Sequence, residues 1–366
     1  MEFERAVVSA RVTTHYAHAK KVVSLGWGAG GLLASGGADA RVRVWTFDGA
    51  GGAPRVDALA GHEGVVDALA WAPDAAPALL ATGATDRTLR IWDTRAGGRA
   101  AIAVATPGQA LTVAWDGPAR LAVGTRDDAL VLVDARRAGD AAGAGAGAAA
   151  APDAAVVFAT HLRDELNDFA FARDGLLYCG LGSVGVTDEG ALGVFDVSGG
   201  AAVERARVRA HSSPITHVKF SPSGESLLTA AGDAVVCLWD PLALAVLRVF
   251  DRAEAAIRAV SWTRGGAHAA VASGDREESA RTLEVLRVAD GTRVCAPAAG
   301  SGGAPPAHDA PPTLVRHAAW ARHADLLAFS VEDAPPPPSG RPSAAAPGGA
   351  AYEAGAVKIL AALRRA

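Results

Sequence analysis

The chain has 366 residues, half of them apolar, and its 35 basic and 39 acidic side chains leave a formal net charge of −4. That balance excludes the basic excess with which nucleic-acid binders neutralise phosphates. The basic clusters (Lys20-Lys21, Arg136-Arg137, Arg205/Arg207/Arg209 and Arg364-Arg365) are small and scattered, as on an ordinary solvated surface.

The N-terminus, Met1-Glu2-Phe3-Glu4-Arg5, carries charges where a secretory signal needs an apolar core. Residues 3–12, which include Ala6-Val7-Val8, precede the first repeat and belong to none. Repeat one then opens with His18 and an apolar run ending Leu25-Gly26-Trp27, followed by Ser35, Asp39 and Val42-Arg43-Val44-Trp45. Repeat two is the clearest. Gly61-His62 precedes an inner strand over Val65-Val66-Asp67-Ala68-Leu69-Ala70-Trp71, and Ala72-Pro73-Asp74 turns the chain. Ala78-Leu79-Leu80-Ala81-Thr82 is the second strand, Thr85-Asp86-Arg87 the next turn, and Thr88-Leu89-Arg90-Ile91-Trp92 the third strand with alternating faces. A fourth, outer strand follows Asp93.

Repeat three keeps Trp115 and ends Leu130-Val131-Leu132-Val133-Asp134, with Asp127-Asp128 at the turn and no Gly-His before it. Repeat four runs from Phe169-Ala170-Phe171 to Leu192-Gly193-Val194-Phe195-Asp196. Repeat five has His211, Phe220, Thr229, Asp233 and Trp239-Asp240. Repeat six spans Trp262 to Leu283-Glu284-Val285-Leu286, with Ser273 and Asp275 only two apart. Repeat seven spans Trp320 to Val357-Lys358-Ile359-Leu360. Ala/Gly-rich residues 138–155, Gly/Pro-rich 298–312 and Pro-rich 334–350 are low-complexity insertions that cannot bury enough apolar surface to order themselves. Proline recognition through Pro335-Pro336-Pro337-Pro338 is a lesser reading of the last.

Trp27, Trp71 and Trp115 stand 44 residues apart, and the later gaps, through Phe171, Phe220, Trp262 and Trp320, run from 42 to 58. A second tryptophan follows 18 to 21 residues later in three repeats, at Trp45, Trp92 and Trp239. This period with Gly-His and Trp-Asp signals resembles WD40 repeats, four strands to a propeller blade. The expected fold is therefore all-β, one seven-bladed propeller over residues 1–366, although length alone points to two domains. Too little chain follows Leu360 for an outer strand. Residues 3–12 are expected to supply it and close the ring, removing an edge that invites aggregation.

The polar residues keep one register. Ser35, Asp39 and Trp45 are spaced 4 and 6 apart, and so are Thr82, Asp86, Trp92 and Thr229, Asp233, Trp239; each set is preceded by a histidine, His18, His62 or His211. A buried indole N–H needs an acceptor, and a hydroxyl can pass that bond to an imidazole held by a carboxylate. A hydrolase triad would be one such set in one cleft with an oxyanion hole. Three copies at propeller spacing, each tied to a tryptophan, instead read as strand locks, and blades one, two and five as the most rigid. Because the histidines belong to separate blades, they are not expected to share a metal. Cys179, Cys237 and Cys295 form no C-x-x-C pair, which argues against a disulfide framework or zinc site and suits a reducing compartment. No cofactor or small-molecule substrate is expected, and no membrane contact, since residues 141–151 are too short and too weakly apolar to span a bilayer. A soluble intracellular protein is expected. An enzyme would be revived by an unusual titratable cluster facing the central channel.

Several stretches are similar to the third subunits of the THO complex, the assembly that couples transcription to messenger RNA export. They are Ala17-His18-Ala19-Lys20-Lys21-Val22-Val23-Ser24-Leu25-Gly26-Trp27, Asp86-Arg87-Thr88-Leu89-Arg90-Ile91-Trp92-Asp93-Thr94-Arg95, and Val123-Gly124-Thr125-Arg126-Asp127-Asp128. Val218-Lys219-Phe220-Ser221-Pro222, Val249-Phe250-Asp251-Arg252 and Glu353-Ala354-Gly355-Ala356-Val357-Lys358 extend the likeness in order. Glu254-Ala255-Ala256, where that family has an aromatic residue, and the low-complexity insertions depart from it. The resemblance implies a non-catalytic nuclear scaffold supporting mRNA processing and export. Its loops would dock on the large helical THO subunits, acting indirectly with a DEAD-box RNA helicase and an export adaptor and meeting RNA mostly through partners. The alternative is a substrate receptor of a cullin-RING ubiquitin ligase, since Trp92-Asp93-Thr94-Arg95 matches a Trp-Asp-x-Arg box, with Arg95 as the adaptor contact.

Overall fold

A computed structural model of the chain describes residues 3–4, 11–47, 54–73, 76, 78–96, 100–137, 155–183, 187–274, 282–295, 315–321, 325–331 and 355–361. Seven antiparallel four-stranded sheets form, six of them from consecutive strands laid in chain order. The inner strands are Val22–Trp27, Ala68–Trp71, Ala110–Asp116, Glu165–Phe171, Ile215–Phe220, Ile257–Trp262 and Val315–Trp320, and they surround a central channel. The inner strand of blade two begins at Ala68 rather than Val65. There the backbone N–H and C=O of Val65 bond Thr85, in the turn between the second and third strands, in place of a ladder partner.

The core sits between the blades. Ala34, Val42, Val44 and Leu59 of blade one pack on Val66, Trp71, Leu80 and Trp92 of blade two, and equivalent clusters fill the other six interfaces. Each blade thus buries its two faces against two neighbours, which is why apolar runs such as Leu130-Val131-Leu132-Val133 persist in repeats that have lost the polar register. The tryptophan ending an inner strand also ties blades together. Trp71 Nε1 donates to Gly26 O and Trp115 Nε1 to Ala70 O, both at 3.0 Å, and Trp27 Nε1 reaches Ala319 O at 3.0 Å across the seam between blades one and seven. Phe171 and Phe220 have no N–H to offer; in their place Tyr178 of blade four donates its hydroxyl to Pro241 O of blade five at 3.0 Å.

Blade seven is built from Val315–Trp320, Leu326–Val331 and Gly355–Ala361, and its outer strand is Arg11–His18 from the N-terminus. The ring is closed by the N-terminal segment, but by residues later than the expected 3–12. Pairing runs from Arg11 opposite Ala361 to His18 opposite Gly355. The end of this strand has to deliver His18 into blade one, and that requirement sets its register. Ahead of it Phe3 stacks 5.8 Å from Trp320 and 4.7 Å from His268, and Glu4 accepts from His268 at 3.1 Å and from Arg287 at 2.7 Å. Ala6-Val7-Val8, Asp275, residues 138–154, 298–312 and 334–350 lie outside the described residues.

Among the described residues, the connection joining the second and third strands places a non-glycine residue in the left-handed region in blades one to five: Ala40 (φ 59), Arg87 (φ 60), Asp128 (φ 58), Ser183 (φ 45) and Ala234 (φ 65). A Cβ there costs roughly 1–2 kcal/mol, partly offset in any glycine variant by the entropy that glycine gains when unfolded. Ala234→Gly is accordingly expected to raise stability by up to about 1 kcal/mol. An unchanged or lower midpoint in urea unfolding would contradict this.

Candidate functional site

The structure brings each of the three spaced sets into one hydrogen-bonded chain. In blade two Trp92 Nε1 lies 2.8 Å from Thr82 Oγ1, Thr82 Oγ1 lies 2.8 Å from His62 Nε2, and His62 Nδ1 lies 2.9 Å from Asp86 Oδ2. In blade one the distances are 2.9 Å (Trp45 to Ser35), 2.8 Å (Ser35 to His18) and 2.9 Å (His18 to Asp39). In blade five they are 2.9 Å (Trp239 to Thr229), 2.8 Å (Thr229 to His211) and 3.1 Å (His211 to Asp233). The chemistry fixes the direction. An indole can only donate and an ionised carboxylate can only accept, so His62 is protonated on Nδ1 and Thr82 donates to Nε2. Each aspartate also caps backbone: Asp86 accepts from Glu63 N and Thr88 N, Asp39 from Ala19 N and Arg41 N, and Asp233 from Ser212 N and Val235 N.

His18 comes from the closing strand of blade seven, so the chain in blade one crosses the seam of the ring. Ser35, Thr82 and Thr229 are fully buried, and a hydroxyl already engaged on both sides in the core offers no nucleophile to a cleft. Among the described residues no group of three or more His, Cys, Asp or Glu side chains is placed to hold a metal ion.

Burial lowers the pKa of His62 and of His211, with Asp86 and Asp233 partly opposing it. Burial pushes the carboxyls of Asp39 and Asp86 up. Bonds from His18 and the Ala19 and Arg41 amides to Asp39, and from Glu63, Thr88 and His62 to Asp86, outweigh that and hold both below the usual range.

A second set of polar residues lies on the channel wall, and the register of the tetrads does not reveal it. Three residues before each inner aromatic stand Ser24, Ala68, Thr112, Asp168, His217, Ala259 and His317. Several tie one blade to the next. Ser24 Oγ donates to Val66 O at 2.7 Å; Thr112 Oγ1 donates to Asp168 Oδ1 at 3.0 Å; and Asp168 Oδ2 accepts from Val218 N at 2.9 Å and Lys219 Nζ at 2.8 Å. Reading down the aligned repeats at that one position was the available signal. Burial raises the Asp168 carboxyl, and Lys219 and His217 bring it below the usual range nonetheless. Burial drives His217 down to about 4 and His317 down to about 3. This is a titratable cluster facing the channel, but both oxygens of Asp168 are taken up by protein donors, so it is not presented as a general base.

A histidine depressed in the fold takes its proton more readily when unfolded. Its contribution is therefore complete above the ordinary histidine value of 6.5 and is lost as pH falls towards the folded value, for His217 from 6.5 to about 4. Asp39 and Asp86, depressed carboxyls, contribute above the ordinary 3.8 and lose that below it. The melting temperature is expected to fall by several degrees between about pH 7.5 and pH 5, a loss of a few kcal/mol. A flat profile over that range in a thermal-shift titration would contradict the assignment of neutral buried imidazoles.

Arg95 is exposed and folded back on the end of its own strand: Nε and Nη2 reach Asp93 Oδ1 and Oδ2 at 3.0 and 2.8 Å. Arg136 makes the same clamp on Asp134 at 3.0 and 2.7 Å in blade three, outside any Trp-Asp-x-Arg box. Within the chain, the geometry of Arg95 is that of an aspartate-ended third strand followed by a turn.

Comparison with known proteins follows the same lines. A model of the WD domain, G-beta repeat, matches residues 9–46, 54–93 and 203–240, the three segments that hold the tetrads. The chain is 29% identical over 268 residues to THO complex subunit 3 of Arabidopsis thaliana, covering 70% of this chain and 75% of that protein. It is 25% identical over 265 residues to WD repeat-containing protein AAC3 of Dictyostelium discoideum, covering 67% of this chain and 51% of that one. The β-propeller domain of Cps50 (Swd1) from Myceliophteria thermophila superposes with a TM-score of 0.67 at 17% identity, over 96% of this chain and 99% of that domain. The chain is a seven-bladed β-propeller that carries WD40 repeats.

Proposed function

We propose that the chain is a non-catalytic scaffold subunit of a nuclear THO complex, supporting mRNA processing and export by holding larger subunits together. The likeness to THO complex subunit 3 over most of both chains carries this reading. The buried, fully engaged hydroxyls and the clamped Asp168 support a binding role over a catalytic one. The near-neutral charge fits a subunit that meets RNA through its partners.

The outer rim supplies a docking face for the helical subunits. Of the six exposed large apolar side chains among the described residues, Val203, Leu242, Val246, Leu247 and Val249 lie on the outer strands of blades four and five or in the turn leading to them. A concentration of this kind on one side of a monomer marks a contact surface.

Affinity purification of the tagged chain from nuclease-treated nuclear extract tests the reading. The large THO subunits should be recovered without RNA, and Leu247→Asp with Val249→Asp should release them while the melting temperature holds. Recovery of a cullin and its adaptor instead, lost in Arg95→Ala, would replace this function with substrate selection for ubiquitination.

A further inference from the structure

Blades six and seven form a cleft at the end of the ring where their inner strands finish, and the chain's own Phe3-Glu4 sits in it. His268 and Arg287 stand opposite each other on the second and third strands of blade six. Both reach one oxygen of Glu4. Arg287 Nε and Nη2 donate to Oε1 at 2.8 and 2.7 Å, and His268 Nε2 lies 3.1 Å from it. An ionised carboxylate only accepts, so His268 carries a proton on Nε2. Phe3 lies over His268, with ring centroids 4.7 Å apart, and against Trp320 of blade seven at 5.8 Å. It also packs on the core that the two blades share.

Three features mark a binding site rather than a part of the frame. The first is that the donors are set without Phe3-Glu4. Arg287 Nη1 donates to Asp290 Oδ2 at 2.8 Å, and Asp290 Oδ1 accepts from the amide and hydroxyl of Thr292 at 2.9 and 2.6 Å, so blade six alone aims the guanidinium. The second is access. The Arg287 side chain stays 38% exposed, and an ion pair so open to water adds little to stability. The third is the floor. Trp27, Trp71, Trp115 and Trp262 each donate Nε1 to a carbonyl of the preceding blade, but Trp320 Nε1, though buried, has no acceptor among the described residues. Those acceptors are the residues just before the inner aromatic. In blade six that residue is Ser261, and its hydroxyl accepts the backbone N–H of Trp320 at 2.9 Å. No hydrogen bond therefore fixes the plane of this indole. Ring closure meanwhile rests on the pairing of Arg11–His18, which involves neither Phe3 nor Glu4.

We propose that this cleft is a peptide-binding site for an aromatic residue followed by a carboxylate, and that Phe3-Glu4 fills it as a tethered ligand that a partner segment of the same chemistry displaces. The seated dipeptide defines that chemistry: a ring against imidazole and indole, and one residue on, an acidic group on a preset guanidinium. A tethered ligand competes at an effective concentration on the order of millimolar, so the site admits in trans only segments that outbid it.

The test is fluorescence-anisotropy titration of a labelled peptide with the sequence of residues 1–8. It is run against the full chain and against the full chain carrying Phe3→Ala with Glu4→Ala, which vacates the cleft and keeps Arg11–His18. The vacated chain is expected to bind with a Kd on the order of 100 μM or tighter, and the unaltered chain about tenfold more weakly or worse. The same peptide with Phe3→Ala or Glu4→Gln should lose at least tenfold in affinity, as should Arg287→Ala made in the vacated chain. If the vacated chain melts early, Glu4→Gln, which loosens the contact and leaves Phe3, takes its place, and its affinity should fall between the two. No binding to either variant, equal binding to the altered and unaltered chains, equal binding of the altered peptides, or full affinity in Arg287→Ala would overturn the proposal.

Discussion

Removal of residues 1–18 should leave a ring that cannot close, and the loss is expected to be the largest of any short truncation. The deletion takes away the whole outer strand of blade seven, whose backbone pairs with Gly355–Ala361 along its length, and exposes that strand as a raw edge. It also takes His18, so Ser35 and Asp39 lose their partner at the seam. Each buried group left unpaired costs about 1–3 kcal/mol, and the lost strand adds to that. The melting temperature should drop by about 10 °C or more, with aggregation on heating. Removal of residues 1–10 alone keeps the strand and, among the described residues, forfeits the contacts of Phe3 and Glu4 with His268, Arg287 and Trp320, so its effect should be far smaller. If both truncations melt together with the full chain, strand closure does not hold the ring.

Thr82→Val should be the most damaging conservative substitution inside a blade. The shape is kept, but the acceptor of Trp92 Nε1 and the donor to His62 Nε2 vanish together at a position with no solvent. Two orphaned groups imply a cost of about 2–5 kcal/mol. Thr82→Ser keeps the hydroxyl and should recover most of it, as Ser35 does the same work in blade one. Thr125→Val in blade three provides the contrast: Thr125 is equally buried but accepts only from Ala129 N, at 3.2 Å, so about 1 kcal/mol is expected. Urea unfolding of the three variants checks the order, and equal losses for Thr82→Val and Thr125→Val would show that the tetrads contribute nothing special.

Much of this architecture can be read from the chain before it folds. A blade is one local unit, so the period of the inner aromatics gives the number of blades and the order of strands within each. Ser35, Asp39 and Trp45 keep constant spacing because they sit on one hairpin whose length the turn dictates. Closure of the last blade by an N-terminal strand is the expectation, and Arg11–His18 pairs with Gly355–Ala361. Which N-terminal residues do so was decided only in three dimensions. Neither residues 3–12 nor Arg11–His18 alternate cleanly between apolar and polar, so the pattern alone does not choose between them; the register is chosen by the neighbouring strand together with the seat of His18 in blade one. The channel wall could be reached only by aligning the repeats. Ser24, Thr112, Asp168, His217 and His317 contribute one side chain per blade, dozens of residues apart, and nothing in the sequence around any one of them shows that ring closure brings them to a shared wall. Arg95 shows the opposite case: its tetrapeptide looks like a signal in the linear chain, and the fold shows the same clamp at Arg136, because the turn after the third strand makes it in both places.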